Sequence, residues 1–118
     1  MCKCYIISQI TAYENEYSQV ILNLLTNAKD AIILRKISNP QIKIILETKN
    51  NKSITTILDN AGGIEKEHLN SIFDPYFTTK EKGTGIGLYM SKMIIESHFK
   101  GKTNVFNTKD GVAFSIEI

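Results

Sequence analysis

Two β-type runs, "QIKIILETK" at 41–49 and "KSITTILD" at 52–59, are separated only by Asn50 and Asn51. So short a connection reads as a tight turn, and the two runs as a β-hairpin. Ahead of it, from Tyr17 to about Lys36, the spacing is helical. Val20, Ile21, Leu24, Leu25, Ala28, Ala31 and Ile32 fill one broad arc when laid out at about 100° per residue. Asn39 and Pro40 stop this helix, since proline disfavours helical backbone at the residue before it. "CYIISQI" at 4–10 has a β-rich composition and reads as a short first strand. After the hairpin, "EKEHLNSIF" reads as a short helix that is broken within "DPYFTTK". A second long helix is predicted from about Ile86 to His98, with Leu88, Met90, Met93, Ile94 and Ile95 on its apolar side. "KTNVFNTK" and "GVAFSIEI" close the chain as a further pair of strands around Asp110-Gly111. The order strand, helix, hairpin, loop, helix, hairpin predicts an α/β (α+β) two-layer sandwich. Its sheet is mixed, largely antiparallel, and covered by helices on one face.

With 118 residues the chain fits a single domain, 1–118, around one core. A net charge of +2 without a block of like charges argues against an electrostatic grip on nucleic acid or an anionic membrane. Apolar runs such as "AIIL" at 31–34 are far too short to span a bilayer, and "MCKCYIISQI" lacks the form of a secretory signal. A soluble, cytoplasmic domain is expected. Cys2 and Cys4 are the only cysteines, and His68 and His98 are isolated from them and from each other. A zinc site needs about four ligands, so two reduced thiols are the expectation.

Several positions carry chemistry. Asn23 and Asn27 are four residues apart, which sets them about 40° from one another on the helical wheel, on a stripe bordering the apolar arc. Amide oxygens there suit a hard cation shared with phosphates and water, or else a loop cap and solvent. Asp59 ends an apolar strand before "NAGGI". Its carboxylate can satisfy its own turn or accept from the exocyclic amine of a ligand; adenine has such an amine where guanine has a carbonyl. In "KGTGIGL", Gly83, Gly85 and Gly87 occupy alternate positions before the second helix, as a phosphate chain at a helix N-terminus would require. Phe73, Tyr76, Phe77, Lys80 and Lys82 lie between these two sites and have the makeup of a lid over phosphates, or of ordinary packing and solvated charge.

In order and spacing these segments resemble the ATP-binding catalytic domain of bacterial sensor histidine kinases, within the wider group of gyrase, heat-shock chaperone and mismatch-repair ATPases. "NLLTNAKDAI" resembles the N box, "DNAGGI" the first glycine box, "IFDPYFTTK" the F box and "GTGIGL" the second glycine box. The resemblance runs from about Tyr13 to Ile118 and implies the Bergerat-type ATP-binding fold. It implies ATP and Mg2+ as cofactors, with Asn27 coordinating the metal and Asn23 helping. Asp59 should accept from the adenine amine, and Gly63 should let the base approach the backbone, with Ile64 beside it. Phe73 and Phe77 should anchor the lid, and Lys80 should reach the terminal phosphate. Asn27 and Lys80 are thus the catalytic candidates. Gly83, Thr84, Gly85, Gly87 and Leu88 complete the expected nucleotide contacts.

Three positions depart from the family pattern. Ala61 stands where the first glycine box usually has a glycine, Asp30 where many kinases have a basic residue, and Val112 where a threonine is usual. The family phosphorylates a histidine on a two-helix dimerisation domain, and the 16 residues before Tyr17 are too few for that hairpin. Neither His68 nor His98 is followed by the acidic residue of a phosphoacceptor box. A catalytic domain cut from a longer kinase is therefore expected. By itself it would be monomeric and largely inactive; the full protein would be a homodimer with a response regulator downstream, and this domain its cytoplasmic part whether or not that kinase is membrane-bound. Two alternatives compete with this reading. One is an ATP-hydrolysing or serine-kinase relative, which would carry Glu four residues before the metal-binding Asn; the other is a non-catalytic nucleotide-sensing module.

Overall fold

The computed structural model describes residues 14–77 and 86–118. The expected first strand at 4–10, both cysteines, and Lys80, Lys82, Gly83, Thr84 and Gly85 lie outside the described residues.

Helix α1 spans Glu14–Leu34, starting three residues before the apolar periodicity does. Glu14 and Glu16 occupy its first turn, where carboxylates complement the free N–H groups of a helix start. The helix ends in a left-handed turn at Lys36, with φ 52°. Lys36 N donates to Ile33 O (3.2 Å) and Ile37 N to Ile32 O (3.2 Å), so the last carbonyls are satisfied without a glycine. The hairpin follows as β1 (Ile42–Lys49) and β2 (Lys52–Asp59). Asn50 and Asn51 both have positive φ, 54° and 64°, the pattern of a two-residue turn whose twist matches the strands.

The predicted short helix is a single turn, α2 (Lys66–Leu69). From Ser71 the chain continues in turns, with Asp74 N bonded to Ser71 O and Phe77 N to Asp74 O. Pro75 bars helical backbone only at Asp74, five residues beyond the end of α2. Helix α3 (Gly87–Met93) passes directly into a π-helical turn, Ile94–His98, so the predicted second helix is continuous but widened in its last turn. Strands β3 (Lys102–Asn107) and β4 (Val112–Glu117) complete a four-stranded antiparallel sheet in the order β1-β2-β4-β3.

Register decides which face is covered. Ile57 lies opposite Phe114 and Thr55 opposite Ile116, so these side chains share the face on which α1 and α3 pack. Val20 and Leu24 of α1, Ile94 and Ile95 after α3, and Ile57, Val112, Phe114 and Ile116 of the sheet form one core cluster. Each such aliphatic side chain contributes about 2 kcal/mol by leaving water. Tyr17 links the layers through Thr55 Oγ1 (3.0 Å) and meets the Phe99 ring edge-on. Strand β1 is different. α1 lies over β2, and every residue of β1 is exposed, including Ile44 and Leu46 on the helix-bearing face.

Candidate functional site

The loop after β2 is held by every element around it. Asp59, 8% exposed, accepts the Ala61 amide on Oδ1 at 3.0 Å. Its Oδ2 has no hydrogen-bond partner among the described residues. Gly62 N donates to Asp110 O (3.0 Å). Asn60 accepts from Gln41 N and donates to Asn39 O. On one side of the loop, Arg35 Nη1 donates to Ala61 O (2.7 Å) and Gly63 O (3.1 Å). On the other, the Asn107 amide closes a two-bond ring with Ile64 N and Ile64 O, both 2.8 Å. Neither Arg35 nor Asn107 is part of a recognisable motif; both act on backbone groups far away in sequence.

The two glycines of this loop have separate physical reasons. Gly62 alone takes the left-handed conformation (φ 85°), and a Cβ there would come within 2.4 Å of Arg35 Nη1. A Cβ on Gly63 would meet Asn107 Oδ1 at 2.8 Å, so its bareness serves the Asn107–Ile64 ring. Ala61 is fully buried and keeps an ordinary negative φ, which is why the family's usual glycine is dispensable at this position. Val112, the other departure in this region, is a core residue.

Asn23 and Asn27 project from α1 one turn apart, both half-buried. Asn23 is tied to α3: Nδ2 donates to Ser91 Oγ (3.2 Å) and Gly87 O (3.4 Å), while Oδ1 accepts from Gln19 (3.0 Å). Because a carbonyl only accepts, Gly87 O fixes which end of the amide faces α3. Ser91, 1% exposed, adds its own bond to Gly87 O (2.9 Å). A Cβ on Gly87 would meet nothing within 4 Å, so no described neighbour demands a glycine there.

α1 therefore connects both ends of the site. From Asn23, beside the start of α3, to Arg35, under the loop after Asp59, twelve residues of helix and cap rise about 18 Å. Ile64, Phe73 and Leu88 pack against the core cluster. Phe73 meets Phe114 edge-on, and the Lys92 ammonium stands 5.7 Å from the Phe73 ring centroid. Phe77 is half-buried against the His68 ring, whereas Tyr76 is 76% exposed with φ 69°. A cavity of about 200 Å³ opens beside Lys43, Leu58, Thr108 and Lys109, with Asp59 and Asn60 forming part of its wall.

The donor set suits a shared magnesium ion. Neutral amide oxygens on one helical stripe would leave most of an octahedron to phosphate and water, as Mg2+ prefers. Among the described residues, Glu65, Glu67 and His68 also bring ligand-type atoms within 4.8 Å of one another, at the exposed surface turn of α2.

Comparison with known proteins agrees with this architecture. Residues 12–118 match the family described as histidine kinase-, DNA gyrase B- and HSP90-like ATPase. The signal transduction histidine-protein kinase AtoS of Escherichia coli is 40% identical over 92 residues, 78% of this chain and 15% of that protein. Sporulation kinase A of Bacillus subtilis is 35% identical over 108 residues, 91% of this chain and 17% of that protein. The two-component sensor PprA of Pseudomonas aeruginosa is 34% identical over 109 residues, 88% of this chain and 12% of that protein. The chain thus spans less than a fifth of the length of these relatives. Among solved structures, the nucleotide-free catalytic domain of the histidine kinase ThkA superposes with a TM-score of 0.76 at 36% identity, covering 88% of this chain and 66% of that one. The four sequence boxes, the two-layer sandwich and the match over nearly the whole chain lead to one assignment: the chain belongs to the histidine kinase-, DNA gyrase B- and HSP90-like ATPase family, in which it is similar to sensor histidine kinases.

Proposed function

We propose that the chain binds Mg-ATP and serves as the phosphoryl-donor domain of a sensor histidine kinase, with the acceptor histidine on a separate two-helix dimerisation domain. The observation that carries this reading is the double attachment of α1. Bonded at Asn23 to the first residue of α3 and at Arg35 to the loop after Asp59, it joins parts of three of the four boxes, and the proposed cleft lies between these attachments.

In that cleft the Asp59 carboxylate, which only accepts, meets the adenine amine; the guanine carbonyl at the same place would be repelled. Ile64 and Leu88 line the nucleotide, and Phe73 and Phe77 anchor the segment that covers it. Gly63 leaves the loop backbone open to the base. Gly83, Thr84, Gly85 and Gly87 lead the phosphates to the N-terminus of α3, and Lys80 meets the terminal phosphate. Asn27 would hold Mg2+, which neutralises phosphate charge when bound, and Asn23 would help by giving up the bond from Gln19 to its oxygen. The transfer itself asks little covalent chemistry of the protein. An imidazole nitrogen of the acceptor forms the P–N bond, the bond from the γ-phosphorus to the bridging oxygen breaks, and ADP departs. The side chains of this chain bind, orient and exclude water.

On this reading the domain alone is monomeric and scarcely active, while the full protein is a cytoplasm-facing homodimer that passes the phosphoryl group to a response regulator. The described residues hold no helix long and apolar enough to cross a membrane. A hydrolytic or serine-kinase relative would need a carboxylate where Asn23 stands, and an amide is no general base.

The test is calorimetric titration with a non-hydrolysable ATP analogue, with and without Mg2+, on the native chain and on Asp59→Asn, with the GTP analogue as the base control. Adenine-selective binding that weakens more than tenfold in the variant is expected. Absence of binding to the native chain, or equal binding of both bases, would overturn the proposal.

A further inference from the structure

We propose that Arg35 is a positioning residue of the base pocket, a cationic latch that holds the carbonyls of Ala61 and Gly63 so that the loop after Asp59 keeps its binding shape. This rests on the nucleotide-binding reading above, but its first observation is independent of any ligand. Arg35 is the capping residue of α1. The bonds from Lys36 and Ile37 back to Ile33 and Ile32 fix where the helix stops and so where the guanidinium starts. Its Nη1 then reaches two carbonyls of one loop, at 2.7 and 3.1 Å.

The loop is shaped to receive it. Gly62, between the two accepting residues, has φ 85° and no Cβ; a methyl there would stand 2.4 Å from the same nitrogen. The guanidinium therefore occupies the place a side chain at 62 would take. With both carbonyls turned to Arg35, the amides of Ala61 and Gly62 are left to Asp59 Oδ1 and Asp110 O. That partition orients the Asp59 carboxylate. Among the described residues no carboxylate pairs with Arg35, so its charge is directed at the loop's carbonyls. A planar guanidinium with several donors can serve both oxygens at once, which a lysine ammonium on a flexible stem does less well.

The latch acts at the base end of the cleft, two helical turns from Asn27. Its loss is therefore expected to weaken the grip on adenine without altering the benefit of the metal. Arg35→Met keeps the aliphatic stem and removes every donor; Arg35→Lys keeps the charge. In nucleotide-free protein, amide exchange followed by NMR should be faster at Gly62 and Ile64 in Arg35→Met, while core amides such as Ile57 and Ile95 are unchanged. Arg35→Lys should fall between the two, and it supplies the comparison if the Met variant does not fold. Affinity for ADP should fall about tenfold in Arg35→Met, with the factor by which Mg2+ improves it kept at the native value.

Unchanged exchange at 62 and 64 overturns the latch, whether or not nucleotide binds. Faster exchange with undiminished ADP affinity overturns its role at the base. If the native chain itself ignores ADP, the kinase reading falls alone, and the exchange comparison still decides whether Arg35 holds the loop.

Discussion

The amide nitrogen of Asn23 lies 3.2 Å from the hydroxyl of Ser91, joining the middle of α1 to the buried side of α3. The hydroxyl passes its own hydrogen to Gly87 O, so one small network fixes the first turn of α3 against α1. Ser91→Ala removes the hydroxyl and leaves the Asn23 amide only its longer bond to Gly87 O. A loss of about 1–3 kcal/mol in urea denaturation is expected. The double variant with Asn23→Ala should cost clearly less than the sum of the two single changes, because both remove the same network. Additive losses would mean that the two side chains act separately.

Asn27 stands one turn further along α1, and its predicted duty differs. Asn27→Ala should abolish most of the difference between nucleotide affinities measured with and without Mg2+. Binding of metal-free nucleotide should remain within about threefold of native, since the base contacts are elsewhere. An undiminished magnesium effect would remove Asn27 from the metal.

Gly63 and Asn107 make a pair whose coupling can be measured. Gly63→Ala drives a methyl into Asn107 Oδ1 and should destabilise by about 1–2 kcal/mol through loss of the ring to Ile64. In an Asn107→Ala background the same substitution should cost much less, because the obstructing amide is gone. An equal cost in both backgrounds would trace the requirement for glycine to the backbone instead.

The hairpin turn offers a stability test remote from the cleft. Asn51 sits at φ 64°, a conformation that glycine adopts without strain. Asn51→Gly should leave thermal stability unchanged or raise it by up to about 0.5 kcal/mol, read as a small rise in Tm. A clear fall would mean that the Asn51 side chain makes a contact that the turn geometry does not require.

Much of this fold was legible because its signals are local. A two-residue Asn-Asn turn, an apolar arc repeating at helical spacing and a proline after the helix each act within a few residues. They place α1, the hairpin and α3 to within about three positions. The boxes were legible for the same reason. Arg35 and Asn107 were not, because their partners are backbone atoms 26 and 43 residues away, and a side chain reaching for a carbonyl leaves no periodicity. The π turn after α3 was hidden too. It shows only in three dimensions, where it sets His98 Nδ1 2.6 Å from Glu16 Oε2 and ties the end of α3 to the start of α1. The exposure of strand β1 was hidden as well: Ile44 and Leu46 are about half exposed, because α1 lies over its neighbour.

A helix fastened at both ends of a cleft is a ruler. The span between the Asn23 and Arg35 attachments is set by the number of residues wound between them, and it cannot stretch without breaking backbone hydrogen bonds. One residue inserted between Asn27 and Arg35 would turn the second attachment by about 100° away from its loop, so the register of this helix is held as tightly as any single side chain. The same stiffness ties the two halves of recognition together. If nucleotide binds as proposed, a tilt of α1 that opens the phosphate end would also drag on the base loop, and such a cleft would sense the whole length of its ligand at once.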